Sequence, residues 1–194
     1  TAEQQSQPDL SFLDFLNHVQ ITDANHGVIP FELWPHLVEL AEQWANGESQ
    51  VVLKARQVGV SWLVAAYADY VARRPGATVL MLSQGQQEAY ELLGKARSIH
   101  DLLPDGLRLR VDTDAAGELG FSGAGRILAL PATQRAGRSY TATLVIADEA
   151  AFHPWAQQNY TAYKPTLDGG GQFLMVSTAN GASGFFHDMY WQSE

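Results

Sequence analysis

A short β-branched segment that runs into a glycine turn, and from there directly into an apolar helix, constrains the fold of this chain most. The turn spans residues 54–61, between the apolar residues 51–53 and a helical apolar pattern that begins near Trp62. A strand followed at once by a helix points backbone N–H groups and the positive end of the helix dipole at one place. The sequence therefore predicts strand, turn and helix, with a candidate phosphate site at the turn.

The turn matches only part of the P-loop pattern G-x-x-x-x-G-K-[ST]. Gly59 and Ser61 occupy their usual positions, whereas Lys54 replaces the first glycine and Val60 replaces the lysine. A lysine at the opposite end of the loop could reach the same β- and γ-phosphate oxygens. On this stretch alone, an ordinary strand–turn–helix explains the residues almost as well as a nucleotide site does.

Apolar strands and helical patterns alternate from residue 51 onward. Further strands are predicted at 78–83, 107–111, 126–130, 143–147 and 172–177. Helices are predicted at 60–73, 85–102, 155–163 and 185–192. Continuous apolar strands separated by helices are typical of an α/β fold, with a mainly parallel sheet between two helical layers. The glycine-rich segment 107–130 is predicted to be an inserted hairpin.

The first 50 residues differ from the rest in charge. The chain has a net charge of −9, and residues 1–50 carry eight acidic side chains and no Lys or Arg. Amphipathic helices are predicted from Asp9 to Val19 and from Pro35 to Trp44. We therefore predict an acidic helical extension over 1–50 that packs on a core over 51–194. The acidic total argues against broad binding of this piece to phosphate backbones.

Two acids end the predicted strand 143–147. Asp148 and Glu149 would then lie at the carboxyl edge of the sheet, where ligands bind in open α/β folds. Beside a P-loop, Asp148 would hold Mg²⁺ together with the Ser61 hydroxyl, and Glu149 would polarise the attacking water. The simpler alternative is a pair of solvated acids that cap the next helix.

Hydroxyl and amide side chains end the last predicted strand in the same way. Ser177, Thr178 and Asn180 could hydrogen-bond a γ-phosphate or its water, although a Ser/Thr/Asn turn explains them equally well in isolation. Three strand ends with polar side chains would meet at one sheet edge. This convergence favours a nucleotide site over the separate simpler explanations.

Basic side chains and histidines leave further alternatives open. Arg135 and Arg138 lie on a glycine-containing loop before the acidic strand, where an arginine could stabilise transition-state charge in a neighbouring subunit or pair with surface acids. Five other basic side chains are predicted to face either solvent or DNA: Lys95, Arg97, Arg108, Arg110 and Arg126. The six histidines form no ligand-spaced cluster, and the chain has no cysteine. No apolar run reaches the roughly 20 residues of a membrane span.

Taken together, Lys-x-Arg-Gln-x-Gly-x-Ser (54–61), the apolar strand with Asp-Glu-Ala (144–150) and Ser-Thr-Ala-Asn-Gly (177–181) resemble the ATPase domain of phage terminase large subunits. Residues 29–35 are similar to the family's adenine-side segment, and residues 82–84 to the segment after its second strand. The resemblance covers roughly residues 28–192. It implies a RecA-like P-loop motor that uses ATP and Mg²⁺ to move double-stranded DNA into a procapsid.

The resemblance also implies partners and a location. The motor would assemble as a homo-oligomeric ring, with the isolated domain monomeric, and would work with a portal protein and a small terminase subunit. It would act in the cytoplasm of a bacterial host and would contact no membrane. The family's nuclease domain would follow residue 194, so nuclease activity is not assigned to this chain.

Roles for individual residues follow from the same resemblance. Lys54 is the displaced phosphate lysine, Glu149 activates water, and Arg138 acts on the nucleotide of a neighbouring subunit. Ser61 and Asp148 hold Mg²⁺. The other binding residues are the rest of the loop and the coupling motif: Ala55, Arg56, Gln57, Val58, Gly59, Val60, Trp62, Ser177, Thr178 and Asn180. Leu37 stands near the glutamine that reads adenine in many relatives, so adenine specificity is not implied.

Two other classes of protein share parts of this pattern. Another P-loop nucleic-acid motor, such as a helicase, would carry the same motifs together with a second motor domain or a strand-separating element. A nucleotide-binding module without hydrolysis would account for Val60 in place of the usual lysine, although the presence of both Asp148 and Glu149 argues against it.

Overall fold

The computed structural model describes residues 10–136 and 140–192, except for the side chain of Thr166, and its centre is a seven-stranded sheet. The strands of this sheet are β3 (Gln50–Leu53), β4 (Thr78–Ser83), β5 (Val111–Ala115), β6 (Glu118–Phe121), β7 (Arg126–Pro131), β8 (Leu144–Asp148) and β9 (Gln172–Ser177). A separate hairpin precedes them, formed by β1 (Gln20–Asp23) and β2 (Gly27–Pro30). The helices are α1 (Phe12–Leu16), α2 (Pro35–Ala45), α3 (Val60–Ala72), α4 (Gln86–Leu102), α5 (Ala156–Asp168) and α6 (Phe185–Gln192), with a 3₁₀ turn at Ala150–Phe152.

The central sheet is mainly parallel, which confirms the predicted α/β class. Its strand order is β3-β9-β8-β4-β7-β6-β5, and only the pairings β7-β6 and β6-β5 are antiparallel. The inserted hairpin predicted over 107–130 is this antiparallel end of the sheet. Leu53 lies opposite Ser177, Asp148 opposite Val176 and Leu82 opposite Ala147. The carboxyl ends of four neighbouring parallel strands therefore lie along one edge.

Alternation along the strands separates the core into two layers. Met81 and Ile146 belong to the cluster that contains the buried side chains of α3 and α4, whereas Leu82 and Ala147 belong to the cluster under α5 and α6. Since side chains alternate between the two faces of a strand, Ser83 and Asp148 point to the same face as Met81 and Ile146. Both strand ends therefore aim their side chains toward the start of α3 and toward α4.

The N-terminal part contains less helix than predicted. The helix expected from Asp9 to Val19 covers only Phe12–Leu16, and the chain then forms the β1-β2 hairpin, which the sequence analysis did not predict. Apolar periodicity marks the face that is buried but not where a helix ends. Asp23 fixes the hairpin turn, because its carboxylate accepts hydrogen bonds from the backbone N–H groups of Asn25 (2.8 Å) and His26 (2.9 Å).

The first helices pack on the central layer. The centroid of the Tyr67 ring on α3 lies 4.8 Å from that of Phe12 and 5.6 Å from that of Trp44. The division into an extension over 1–50 and a core over 51–194 stays a prediction. None of the helices within residues 10–136 and 140–192 is long and apolar enough to cross a membrane.

Two other predicted boundaries were wrong. The strand expected at 107–111 begins only at Val111, because residues 107 and 108 form a turn in which both backbone N–H groups bond to the Pro104 carbonyl. The helix expected to end at Tyr163 continues through Pro165 to Asp168. Leu167 packs against the cluster that contains Tyr163, so tertiary packing extends this helix past the proline.

Candidate active site

The turn between β3 and α3 has a backbone that favours glycine at one position. Gly59 precedes the first residue of α3 with φ 82°, and a Cβ added there would lie 2.9 Å from Leu37 Cδ1. Gln57 has φ 60°, which costs a non-glycine residue free energy. The ring Nε2 of His36 donates to the Val58 carbonyl at 2.9 Å and ties the turn to α2. Gln57 and Gly59 therefore have left-handed backbone conformations, and His36 on α2 hydrogen-bonds the residue between them.

Lys54 and Glu149 meet at the edge of the sheet. Lys54 Nζ lies 2.7 Å from Glu149 Oε1, and the two side chains are 8% and 33% exposed. The backbone N–H of Lys54 donates to the Ser177 carbonyl at 2.9 Å, which places the lysine between the ends of β3 and β9. The structure thus brings the displaced lysine next to the second acid of the predicted pair.

Glu149 is held firmly as a carboxylate. Its backbone is left-handed, with φ 50°, and its Oε2 accepts hydrogen bonds from Thr178 N (2.9 Å) and Thr178 Oγ1 (2.9 Å). Ser177 Oγ lies 3.3 Å from the same oxygen, but its single proton has a nearer acceptor in the Thr178 carbonyl at 2.8 Å. Burial alone would raise the pKa of Glu149, but the hydrogen bonds from Lys54 and Thr178 outweigh it and leave the pKa below its ordinary value. The side chain is therefore ionised at neutral pH.

Asp148 has the opposite electrostatic environment. Burial raises the pKa of Asp148 to about 6; Lys54 opposes the increase and Glu149 adds to it. Its Oδ1 is buried and has no hydrogen-bond partner among the residues that the structure describes. The side chain lines a cleft of about 190 Å³, which we call the acidic cleft. The acidic cleft is formed by Ser61, Ser83, Gln84, Glu88, Glu91, Leu92, Lys95, Asp148 and Glu149.

The acidic cleft has the donor set that a magnesium ion uses beside a nucleotide. A buried carboxylate oxygen without a partner and the hydroxyl of Ser61 both line it. Within the described part of the chain, no group of three or more His, Asp or Glu side chains is placed to hold a metal ion. Mg²⁺ typically binds proteins through one or two carboxylates, with water and phosphate oxygens as its other ligands, so the residues present fit this ion.

The remaining predicted residues fall into three groups. Ser177 Oγ accepts from the backbone N–H of Ala151 at 3.1 Å, and Asn180 Nδ2 donates to the Ala151 carbonyl at 3.0 Å. Thr178 therefore contacts Glu149, and Ser177 and Asn180 contact the turn after it. The loop side chains of Ala55, Arg56 and Gln57 are exposed, whereas Val60 is buried. Arg138 lies outside the described residues.

Three residues near the site were not assigned to it from the sequence, although Lys95 was predicted to face solvent or DNA and Ser83 lies in the segment 82–84 that supported the resemblance. His153 donates from Nε2 to the Asp148 carbonyl at 2.8 Å, and burial lowers the pKa of this histidine. Lys95 Nζ lies 5.3 Å from the centre of the Trp62 ring and lines the acidic cleft. Ser83 ends β4 beside Asp148. Ser83 alone gave a sequence signal, because it follows an apolar strand as Asp148 does.

Four of the five basic side chains whose role was left open form ion pairs on the surface. Arg97 pairs with Asp114 at 2.7 Å, and Arg126 pairs with Glu118 at 3.4 Å. Arg108 pairs with Asp105, and Arg110 with Asp112. These pairs favour the solvated alternative for the four arginines.

A larger groove of about 930 Å³ adjoins Lys54 along β3. Apolar and aromatic side chains of α2, α5, α6 and β9 contribute to its walls, among them Leu40, Tyr160, Met175, Met189 and Tyr190. Leu37, which replaces the expected glutamine, packs instead in the core against Gly59, with 1% of its surface exposed. The groove therefore offers apolar contact surface next to the lysine.

Comparisons with protein-family models and with curated proteins find no match. Several solved structures are similar to this chain, among them three large terminases. The large terminase of bacteriophage HK97 matches with a TM-score of 0.70 and 16% identity over 86% of this chain and 37% of its own. The large terminase ATPase domain of Thermus phage P74-26 matches with a TM-score of 0.59 and 23% identity, over 80% of this chain and 68% of its own. A large terminase from a thermophilic bacteriophage matches with a TM-score of 0.67 and 11% identity, over 84% of this chain and 43% of its own.

At sequence identities of 11%, 16% and 23%, the similarity is evidence about the fold alone. The chain spans 37% of the HK97 large terminase and about two thirds of the isolated P74-26 ATPase domain. Each of the three matches covers at least 80% of this chain. This chain therefore shares the α/β fold of these phage large terminases.

Proposed function

We propose that this chain is the ATPase motor domain of a viral DNA-packaging terminase large subunit. It would hydrolyse ATP with Mg²⁺ and use the free energy to move double-stranded DNA into a procapsid. The observation that carries the proposal is the 2.7 Å contact between Lys54 Nζ and Glu149 Oε1, beside the unpartnered Oδ1 of Asp148, in a fold shared with large terminase ATPase domains.

Lys54 has the donors to serve both the carboxylate and a phosphate. An ammonium group carries three N–H donors, and Glu149 Oε1 takes one of them. The other donors remain free to bind β- and γ-phosphate oxygens at the turn, where the N–H groups of residues 58–61 begin α3. The large groove beside Lys54 would accommodate the nucleoside.

Glu149 is prepared to accept a proton from water. Thr178 directs two donors at Oε2, whereas Lys54 is the one donor to Oε1 among the described residues. Each carboxylate oxygen has two lone pairs, so Oε1 keeps acceptor capacity for a water molecule. We propose that this oxygen orients the attacking water.

Ser61 and Asp148 would hold the magnesium ion in the acidic cleft. When bound, the ion would neutralise charge that develops on the phosphate oxygens. Thr178, Ser177 and Asn180 contact Glu149 and Ala151 directly, so a change at the phosphate would move the segment that leads into α6. This segment would couple hydrolysis to DNA movement.

The proposal extends to an assembly. Subunits would form a ring around DNA in the cytoplasm of a bacterial host, with a portal protein and a small terminase subunit as partners and with no membrane contact. Arg138 of one subunit would reach the nucleotide of the next.

The proposal is tested by phosphate release from ATP with Mg²⁺, in the presence and absence of duplex DNA. Lys54→Ala and Glu149→Gln are expected to lower the rate at least about 100-fold, because each removes a group that acts on the transferred phosphoryl or its water. Glu149→Gln is preferred to alanine because it keeps a side chain against the nearly buried Lys54.

Matched controls are Lys164→Ala and Glu42→Gln, which change exposed side chains on α5 and α2. Their rates should equal that of the wild type, and circular dichroism should show that all four variants are folded. Hydrolysis at the wild-type rate by either folded site variant would contradict the proposal.

A second candidate function is a nucleotide-binding module without hydrolysis. Its support is Val60, which replaces the usual lysine and is 2% exposed, with its side chain in the core. This module would bind ATP with Mg²⁺ and release no phosphate, with or without duplex DNA.

A further inference from the structure

Ser83 ends β4 with a buried hydroxyl that lacks a partner. The residue is 2% exposed, and its Oγ has no hydrogen-bond partner within residues 10–136 and 140–192. A buried polar group without a partner costs free energy, and such groups are rare away from sites that bind water, ions or ligands. Neither a helix cap nor a turn accounts for this serine.

Ser83 and Asp148 form a pair of such groups. Leu82 lies opposite Ala147 in the parallel ladder, so Ser83 and Asp148 follow side by side and point to the same face of the sheet. Both line the acidic cleft together with Ser61, and Asp148 Oδ1 also lacks a partner within the described residues. Two neighbouring buried oxygens that face one cleft are best explained by a shared partner that the described residues do not supply.

Other side chains of the acidic cleft are engaged elsewhere. Glu149 accepts hydrogen bonds from Lys54 and Thr178. Glu88 turns its carboxylate back toward Gly85 at the start of α4. Lys95 lies over the Trp62 ring. Two hydroxyls of the acidic cleft, those of Ser61 and Ser83, have no hydrogen bond within the described residues. Ser61 is the proposed ligand of the ion, so the hydroxyl that remains beside Asp148 without a role is that of Ser83.

We infer that Ser83 is a positioning residue of the magnesium site, where its hydroxyl and Asp148 together hold a water molecule of the ion's shell. This inference rests on the proposed function. Mg²⁺ keeps several of its waters when it binds a protein, and an ordered water needs two to four polar partners. A hydroxyl on one strand and a carboxylate on the next supply two of these partners. Ser83 would thus fix the ion through its water, without direct coordination.

The inference is tested with Mn²⁺ as a spectroscopic probe and a non-hydrolysable ATP analogue. Free Mn²⁺ is measured by electron paramagnetic resonance during titration of the protein–analogue complex. Ser83→Ala should weaken Mn²⁺ binding about tenfold, as loss of an outer-shell hydrogen bond does, while the affinity for the analogue without metal stays unchanged. Ser98→Ala, on α4 and away from the acidic cleft, is the control and should bind Mn²⁺ as the wild type does.

A second pair of variants separates the hydroxyl from its volume. Ser83→Thr and Ser83→Val have nearly the same shape, and threonine alone keeps the hydroxyl. The added methyl group can lower the Mn²⁺ affinity of both variants. The threonine variant should still bind Mn²⁺ more tightly than the valine variant, because only threonine keeps the hydroxyl. Equal Mn²⁺ affinity in this pair, or an affinity of Ser83→Ala within about twofold of the wild type, would overturn the inference.

The Asp148→Asn variant distinguishes failure of the inference about Ser83 from failure of the proposed function. If the wild type binds the analogue and Mn²⁺, and Asp148→Asn loses Mn²⁺ while Ser83→Ala does not, the inference about Ser83 alone is wrong. If the wild type binds neither the analogue nor Mn²⁺, the proposed function is wrong and the inference falls with it. Urea unfolding of Ser83→Ala should show no loss of stability, because the variant removes a buried hydroxyl that no described residue partners.

Discussion

Asp148 and Glu149 are adjacent in the chain, yet their surroundings move their pKa values in opposite directions. Glu149 turns toward the ends of β3 and β9, where Lys54 and Thr178 donate to it. Asp148 points to the face of the sheet that carries α3 and α4, and its Oδ1 has no donor within the described part of the chain. Glu149 lines the same acidic cleft, but its left-handed backbone turns its carboxylate toward Lys54 and Thr178. Two carboxylates with different protonation behaviour can then take different roles.

Asp148 should make the wild-type protein less stable as pH rises. Burial raises its pKa from 3.8 to about 6, so between these values the folded state holds a proton that the unfolded state has lost. The free energy of unfolding then falls with pH across this window and levels off above it, by about 3 kcal/mol in all. Asp148→Asn removes the titration. Its free energy of unfolding, minus that of the wild type, should therefore increase by most of this amount from about pH 4 to about pH 6.5.

Urea unfolding at several pH values checks this prediction. Glu149 titrates in both proteins, and its lowered pKa gives stability that is lost only as pH falls. Subtracting the free energy of unfolding of the wild type from that of the variant therefore removes this contribution and leaves that of Asp148. The pH-independent part of the difference between variant and wild type reports the amide itself, whereas the change of the difference with pH reports the titration of Asp148. A difference that does not change between about pH 4 and about pH 6.5 would show that Asp148 has an ordinary pKa in the folded state.

At the scale of elements, α3 and α4 are joined behind the candidate site by a buried polar network. Asp69 on α3 is fully buried and accepts from His100 Nδ1 on α4 at 3.0 Å and from Arg73 at 3.2 Å. His100 Nε2 and Arg73 also donate to the carbonyls of Leu109 and Leu107, at 2.9 and 2.6 Å. One carboxylate thus orients two side chains that satisfy the turn before β5.

Asp69→Ala should destabilise the protein by about 3 kcal/mol, because it takes the carboxylate from a buried histidine and a nearly buried arginine. Asp101→Ala, an exposed change on α4, should alter the free energy of unfolding by less than about 0.5 kcal/mol. Both values come from urea unfolding at neutral pH. A similar, small effect of the two variants would show that the network contributes little to stability.

The elements of the central sheet could be predicted from the sequence because their apolar runs are long and continuous. Strands 78–83 and 172–177 have the predicted bounds, and Lys54, Asp148 and Ser177 were expected at one edge for the same reason. The β1-β2 hairpin was missed because its strands are exposed and lack an apolar pattern. The unpartnered oxygens of Ser83 and Asp148 depend on the register between β4 and β8, which no local pattern specifies.

At the scale of the whole molecule, the first elements share a hydrophobic core with the parallel sheet. Phe12 and Leu16 of α1 and Trp44 of α2 belong to the same buried cluster as Leu63 and Val64 of α3. The acidic segment before residue 50 is thus packed directly against the helix that follows the Lys54 loop. Residues 1–50 carry eight acids and no Lys or Arg, and this composition disfavours broad contact of the segment with a phosphate backbone.

An arginine that acts between subunits makes a prediction that only the assembly can meet. If Arg138 completes the site of a neighbour, Arg138→Ala should lower phosphate release by the assembled protein about 10³-fold or more. A Lys54→Ala subunit cannot hydrolyse ATP but still carries Arg138. In an equimolar mixture of the two variants, an Arg138→Ala subunit next to a Lys54→Ala subunit regains a complete site, so about one quarter of the wild-type rate should return.

A mixture of Lys54→Ala with Glu149→Gln serves as the control for this experiment. Both changes lie in the same subunit's site, so no neighbour can restore either of them and the mixture should stay inactive. Recovery with Arg138→Ala but not with Glu149→Gln would place the arginine in the neighbouring site. If both mixtures stay inactive while light scattering shows that the protein is assembled, the prediction fails, because Arg138 then acts within its own subunit or one inactive subunit stops the whole ring.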